Sequence, residues 1–172
     1  MIFGHEFCGE VVETGKLVTK RKVGDYVGGE THIADWTCFQ CRIGNAHICE
    51  NLKILGVDTQ GAYAEYVALP ENNAIPTDPK LPPEVATAQE PLGNAVHTML
   101  SQDIIGNNIS IFGCGPIGLC AIQIAKAGGA RGIFAVDTND YRLKMAKGMG
   151  ADYAINPLKE DPVKAIKDVT LR

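Results

Sequence analysis

Thiols and carboxylates crowd into one stretch of this 172-residue chain. Asp35, Cys38, Cys41 and Cys49 follow one another as Asp-x2-Cys-x2-Cys-x7-Cys. Thiolates two residues apart can face one point, and a longer return brings in a fourth ligand, which suits a tetrahedral zinc ion. Four ligands leave no open position, so the expected site is structural. Asp35 is its least usual member, His32 and His47 are substitutes, and three unligated thiols are the alternative. A second group is His5 and Glu6 near the start with Glu90 before Pro91. An imidazole and two carboxylates can hold zinc and leave one position for a substrate oxygen. On spacing alone, a solvated or structurally bonded His-Glu pair is the alternative.

The third group is Gly113-Cys114-Gly115-Pro116-Ile117-Gly118, a G-x-G-x-x-G turn after an apolar strand pattern and before a helical one. An acid, Asp137, closes the next strand pattern about twenty residues on, the context a dinucleotide fingerprint requires. Gly113 permits the tight turn, Gly115 lets a pyrophosphate approach the backbone, and Gly118 lets the helix pack on the sheet. The helix start offers unpaired N–H groups to phosphate, and Pro116 lacks an N–H that would have been unpaired anyway. Asp137 suits the adenosine ribose hydroxyls and repels a 2′-phosphate, favouring NAD over NADP, while Arg142 pulls the other way. A glycine turn that holds no nucleotide is the alternative.

These groups need a framework. Sixteen Lys plus Arg against twenty Asp plus Glu give a net charge of −4, without the clustered basic face that nucleic acid requires. At 45% hydrophobic and 21% charged residues the chain is a packed one, not a disordered one. The six Cys could form three disulfides, but nothing resembles a secretory leader, and reduced thiols in a cytoplasm are expected. Cys8, Cys114 and Cys120 read as structural, and Tyr63, Tyr66 and Phe134 as core or sheet residues. The uncharged run from Ile104 to Ala125 is long enough for a membrane, but Gly, Asn and Pro interrupt it and its period changes midway. It reads as strand, turn and helix.

Residues 1–75 are strand-like, with Phe7–Glu13 and Tyr63–Leu69 as strands, a turn within Val23–Val27, and the long loop Glu30–Lys53 between. Pro82–Gln102 reads as a connecting helical segment with Val85, Ala86, Ala88, Leu92, Val96 and Leu100 at helical spacing. From Asn108 onward strands (Ile109–Phe112, Gly132–Val136, Tyr153–Ile155) alternate with helices (Ile117–Ala127, Asp140–Lys147, Pro162–Val169). That order predicts a parallel sheet with right-handed crossovers.

Several of these segments together resemble the zinc-containing medium-chain dehydrogenases. They are Gly4-His5-Glu6-Phe7, Val23-Gly24-Asp25-Tyr26-Val27, Gly29-Glu30-Thr31-His32-Ile33, the cysteine loop, Gly56-Val57-Asp58, the glycine turn, and Gln89-Glu90-Pro91-Leu92-Gly93-Asn94-Ala95-Val96-His97-Thr98. The resemblance implies an α/β fold: a partial GroES-like, β-rich catalytic domain over 1–80, connecting helices over 81–105, and the first half of a Rossmann doubly wound parallel sheet over 106–172. It implies two zincs, a catalytic one on His5, with Glu6 as ligand or close neighbour and Glu90 reaching it in some states, and a structural one on Asp35, Cys38, Cys41 and Cys49. His32 would shape the substrate site. Gly113, Gly115, Pro116, Ile117, Gly118, Asp137 and Arg142 would hold NAD.

The implied reaction is NAD-dependent oxidation of a secondary alcohol. The Glu-Pro-Leu-Gly-Asn-Ala-Val-His stretch points within the family to L-threonine, giving 2-amino-3-oxobutanoate. A sorbitol-type polyol is the alternative substrate. In the family a zinc-ligating Cys and proton-relay residues precede Gly-His-Glu, and the nicotinamide-binding half of the fold follows the position of Arg172. The chain therefore resembles the central half of such an enzyme. A truncated remnant that keeps the structural zinc and adenosine pocket without turnover is a rival reading, and a nucleotide-sensing module is a third. The resemblance further implies a cytoplasmic protein, a homo-oligomer at full length, with neither nucleic-acid nor membrane partners.

Overall fold

The computed structural model describes residues 1–170; Leu171 and Arg172, with which the expected second domain ends, lie outside the described residues. The chain divides into two compact units, one of Met1–Glu90 and one beginning at Pro91.

In the first unit, β1 (Cys8–Glu10), β2 (Tyr26–Gly29) and β5 (Ala74–Pro76) form an antiparallel sheet in the order β1-β2-β5. Cys8 lies opposite Gly28 and Gly29 opposite Ala74. Gly24, at φ 90°, makes the turn into β2 expected within Val23–Val27. A smaller pair, β3 (His32–Ile33) and β4 (Lys53–Ile54), closes the base of the cysteine loop, with His32 opposite Ile54. Inside that loop stand only a four-residue helix, α1 (Phe39–Arg42), and a single 3-10 turn. Its small apolar core consists of Ala34, Cys41 and Cys49, flanked by Cys38, Ala46 and Leu52. So little buried surface implies that something besides hydrophobic burial holds the loop.

Two sequence expectations fail in this unit. Tyr63–Leu69 is not a strand: among the described residues no strand pairs with it, and Tyr63 and Tyr66 are exposed rather than core. Alternating side chains make a strand only where a neighbour satisfies the ladder, and within this segment only Tyr63 donates its backbone N–H to another segment among the described residues, to the Phe3 carbonyl. The expected strand Phe7–Glu13 shortens to β1, whose register with β2 covers Cys8–Glu10, although Val11 still donates to the Asp25 carbonyl at 2.9 Å.

The helical segment is two helices, α2 (Pro83–Ala86) and α3 (Gln89–Leu100), the division between units falling inside α3. Gln89 ties the start of α3 to the first unit by donating to Thr77 Oγ1 at 2.9 Å and to the Ala86 carbonyl at 3.0 Å. The apolar stripe Val85, Leu92, Val96, Leu100 is exposed, and Ala86, Pro91 and Ala95 are buried instead. Periodicity identified the helix but not its inward face, because a close approach selects small residues.

The second unit follows the expected alternation. Strands β6 (Asn108–Phe112), β7 (Gly132–Val136) and β8 (Tyr153–Ile155) form a parallel sheet in the order β6-β7-β8. Helices α4 (Pro116–Ala127) and α5 (Asp140–Gly148) pack on one face through Ala121, Ile122, Ala125, Leu143 and Ala146. Helix α6 (Pro162–Thr170) covers the other, bringing Ala165, Ile166 and Val169 to Phe134, Val136 and Ile155. All five residues of β7 are consequently buried, as a strand covered on both faces must be. Phe134 sits in that core, its ring stacked on Tyr153 at 4.5 Å between centroids.

Candidate functional site

In the cysteine loop, Asp35, Cys38, Cys41 and Cys49 bring one donor atom each to within 4.8 Å of one another. The loop's own backbone shapes this arrangement. Asp35 Oδ1 accepts from the N–H groups of Thr37 at 2.7 Å and Cys38 at 3.0 Å, while Oδ2 accepts from Asn51 Nδ2 at 2.6 Å. Between them Trp36 takes φ 60°, a left-handed conformation rare for a bulky side chain, which turns the chain back on itself. Cys38 caps α1, its sulfur accepting the Cys41 N–H at 3.5 Å. Cys49 Sγ accepts the N–H groups of Asp35 and Asn51, both at 3.4 Å.

The donor chemistry fits a cation. The Asn51 amide, then the Thr37 and Cys38 N–H groups, hold the Asp35 carboxyl well below the ordinary carboxylate range. The Cys41 N–H draws the Cys38 thiol down. Burial, with hydrogen bonding to Cys38 and Cys49 that favours the neutral S–H, pushes the Cys41 thiol up to about 12. Such a thiol stays protonated at neutral pH until a cation sits against it, as zinc does when it takes a thiolate. All six cysteines are free. The substitutes His32 and His47 are not members of this set of four.

The second cluster draws His5, Glu6 and Glu90 together, again with donor atoms within 4.8 Å. His5 follows Gly4, whose carbonyl accepts the Ala62 N–H at 2.9 Å, while Gly61 donates to the Ile2 carbonyl at 2.8 Å. A Cβ on Gly56 or Gly61 would overlap the Gly4 carbonyl, so both glycines permit the close crossing that sets His5 in place. Glu90 comes from the first turn of α3, and its Oε1 accepts the hydroxyl of buried Thr31 at 3.3 Å. A nitrogen and two carboxylate donors, partly open to solvent, match a site that keeps a position for a substrate oxygen. His32, expected at the substrate site, is not part of this trio; its Nδ1 lies 2.7 Å from Glu30 Oε1, which also accepts its backbone N–H.

At the glycine turn, Gly113 has φ 94° and a Cβ on Gly118 would overlap the Gly113 carbonyl, so the strand-to-helix passage needs both glycines. Gly115 has open space beside it, and no side chain caps α4, which begins with Pro116. The N–H groups at the helix start therefore face whatever approaches Gly115, which suits a pyrophosphate. Asp137 is buried at the end of β7, its Oδ1 accepting the Asn139 N–H and its Oδ2 the Cys114 N–H, each at 2.7 Å. The Asn139 N–H first, then the Cys114 N–H and the Arg142 guanidinium 3.8 Å away, hold its carboxyl below the ordinary range. A carboxylate fixed as an anion at this edge accepts hydroxyls and repels phosphate.

Sequence reasoning missed Asn51, Thr31, Glu30 and Asn139. An Asn before a helical run is an N-cap signal for Asn139, which caps α5 through Tyr141 and Arg142. Asn51 and Thr31 act across loop and sheet contacts that no local pattern announces.

Residues 1–80 match the alcohol dehydrogenase GroES-like domain, and residues 116–171 match the zinc-binding dehydrogenase domain. The chain belongs to the zinc-containing medium-chain dehydrogenases, an oxidoreductase family. Among its relatives are L-threonine 3-dehydrogenases: that of Caldanaerobacter subterraneus is 55% identical over 97% of this chain and 48% of its own length. The enzyme of that name from Symbiobacterium thermophilum is 52% identical over 99% of this chain and 48% of its own. The chain thus spans about half the length of the curated relatives it matches. Similar solved structures include alcohol dehydrogenase TADH from Thermus sp. ATN1, with TM-score 0.90, 34% identity, and coverage of 98% of this chain and 51% of that one. A zinc-binding dehydrogenase from Sinorhizobium meliloti, bound to NADP, gives 0.89 at 33% identity over 95% and 48%. An Escherichia coli alcohol dehydrogenase complexed with NADH gives 0.89 at 30% identity over 97% and 50%. No helix among the described residues is long and apolar enough to cross a membrane.

Proposed function

We propose that this chain carries the zinc sites and the adenosine-binding half of an NAD-dependent secondary-alcohol oxidoreductase whose substrate is L-threonine. The reaction transfers hydride from C3 to NAD, giving 2-amino-3-oxobutanoate, NADH and a proton. The observation that carries the reading is the convergence of the adjacent His5 and Glu6 with Glu90, distant from them in sequence, with donor atoms within 4.8 Å. Zinc held there would supply Lewis acidity toward a substrate hydroxyl, and NAD would supply the hydride acceptor.

The chain's own residues do the rest. His5 and the carboxylates of Glu6 and Glu90 hold the cation. Asp35, Cys38, Cys41 and Cys49 hold a second, structural zinc that keeps the loop folded. Gly113, Gly115, Pro116, Ile117 and Gly118 cradle the pyrophosphate, and Asp137 and Arg142 contact the adenosine ribose, Asp137 favouring NAD by repelling a 2′-phosphate. His32, oriented by Glu30, contributes to the substrate pocket. Residues 1–80 serve as the GroES-like half, 81–105 as the connection and 106–172 as the dinucleotide half of a cytoplasmic homo-oligomer. Relatives named L-threonine 3-dehydrogenase support threonine over a polyol.

The test is NAD-dependent oxidation of L-threonine by the purified 172-residue chain, with zinc counted on the same sample. About two zincs per chain, one in an open and one in a closed site, is the expected result, and turnover of L-threonine would show that this half carries the chemistry by itself. Fewer than two zincs and no reduction of NAD would overturn it. Two zincs without turnover would leave both metal sites standing and assign the chemistry to a longer polypeptide.

A further inference from the structure

We propose that Thr31 is a positioning residue for Glu90, fixing its carboxylate for a divalent cation shared with His5 and Glu6; this rests on the reading of that trio as a metal site. Thr31 is 1% exposed, and its hydroxyl donates to Glu90 Oε1 at 3.3 Å. A hydroxyl so buried requires a partner, and the carboxylate supplies it.

The hydroxyl is itself a fixed point. The Thr31 carbonyl accepts the Leu55 N–H at 3.1 Å, and the Glu30 N–H donates to the Asn73 carbonyl at 2.8 Å. Asn73, 1% exposed, donates through Nδ2 to the carbonyls on either side of Thr31, at 2.8 Å to Glu30 and 3.0 Å to His32. Glu90, by contrast, is a long side chain that is only partly buried, and ordering it on a cation costs rotamer entropy. A hydrogen bond from a rigid, buried donor meets part of that cost before the cation arrives. Ligand carboxylates are commonly held in this way, and loss of the outer partner weakens metal binding about 10–100-fold.

The experiment is a Co2+ titration of the metal-stripped 172-residue chain, followed by visible absorption. The thiolate set and the His5 set give separate signals, because only sulfur ligation produces intense charge-transfer bands. Thr31→Val keeps the shape and removes the hydroxyl, and Thr31→Ser keeps the hydroxyl. We expect Thr31→Val to weaken Co2+ at the His5 set about ten-fold or more, with the thiolate set unchanged and Thr31→Ser restoring the affinity. In a Glu90→Gln background Thr31→Val should have little further effect. Equal affinity in wild type and Thr31→Val overturns the role of Thr31 while leaving the metal site intact. An undiminished effect in the Glu90→Gln background also overturns it. Absence of any Co2+ signal from the His5 set in the wild type overturns the metal reading itself, and the proposal with it.

Discussion

Asp137 keeps both carboxylate oxygens on backbone donors, and that sets how its charge responds to pH. Its folded pKa lies below that of an unfolded aspartate, about 3.9. The folded form therefore binds fewer protons between those two values. Its contribution to stability is complete above the unfolded pKa and disappears as pH falls through the folded one. Asp137→Asn should accordingly flatten the fall in stability below about pH 5, read by urea denaturation across that range. Asp35 shifts in the same direction through Asn51, Thr37 and Cys38, yet it serves a different purpose, since its carboxylate also shapes the loop that gathers the thiols. The sequence made both aspartates visible as chemistry. Their partners came from Cys114 and Asn51, 23 and 16 positions away, and no local pattern reaches that far.

The β6–turn–α4 element separates two uses of glycine. At Gly118 a Cβ would overlap the Gly113 carbonyl, so Gly118→Ala should destabilise the second unit by about 1–3 kcal/mol, the usual cost of overpacking. At Gly115 the space beside the backbone is open. Gly115→Ala should leave the urea midpoint close to wild type while weakening NAD binding, measured by calorimetry, because the methyl group takes the place of the pyrophosphate. Loss of stability at both positions would mean that the turn is built for folding alone. This element was legible in the sequence because its constraint is local: three glycines, a proline and a strand-to-helix change of period. Helix α3 was legible only as a helix. Its exposed Leu92, Val96 and Leu100 carry the apolar period, and small Pro91 and Ala95 form the buried side.

At the scale of the molecule the two units draw on different sources of stability. The second has a sheet covered on both faces by helices, whereas the cysteine loop of the first has a three-residue core and elements of two to four residues. Removing metal with a chelator should therefore raise amide hydrogen exchange across residues 31–55 and leave the protection of β6, β7 and β8 unchanged. Uniform loss of protection in both units would sink the idea that metal holds only the first.

The sequence by itself determined the candidate ligand types, the dinucleotide fingerprint, the βα alternation and the family, because each rests on spacing within a few residues or on a fixed period. Tertiary structure decided that Tyr63–Leu69 lacks a ladder partner and that Tyr63 and Tyr66 are exposed. It placed His32 on Glu30 rather than with the His5 trio, and it brought Thr31 to Glu90. These outcomes depend on which backbone groups and side chains lie opposite one another after folding. Pairing and burial are relations between distant segments, and the order of residues along one segment does not contain them.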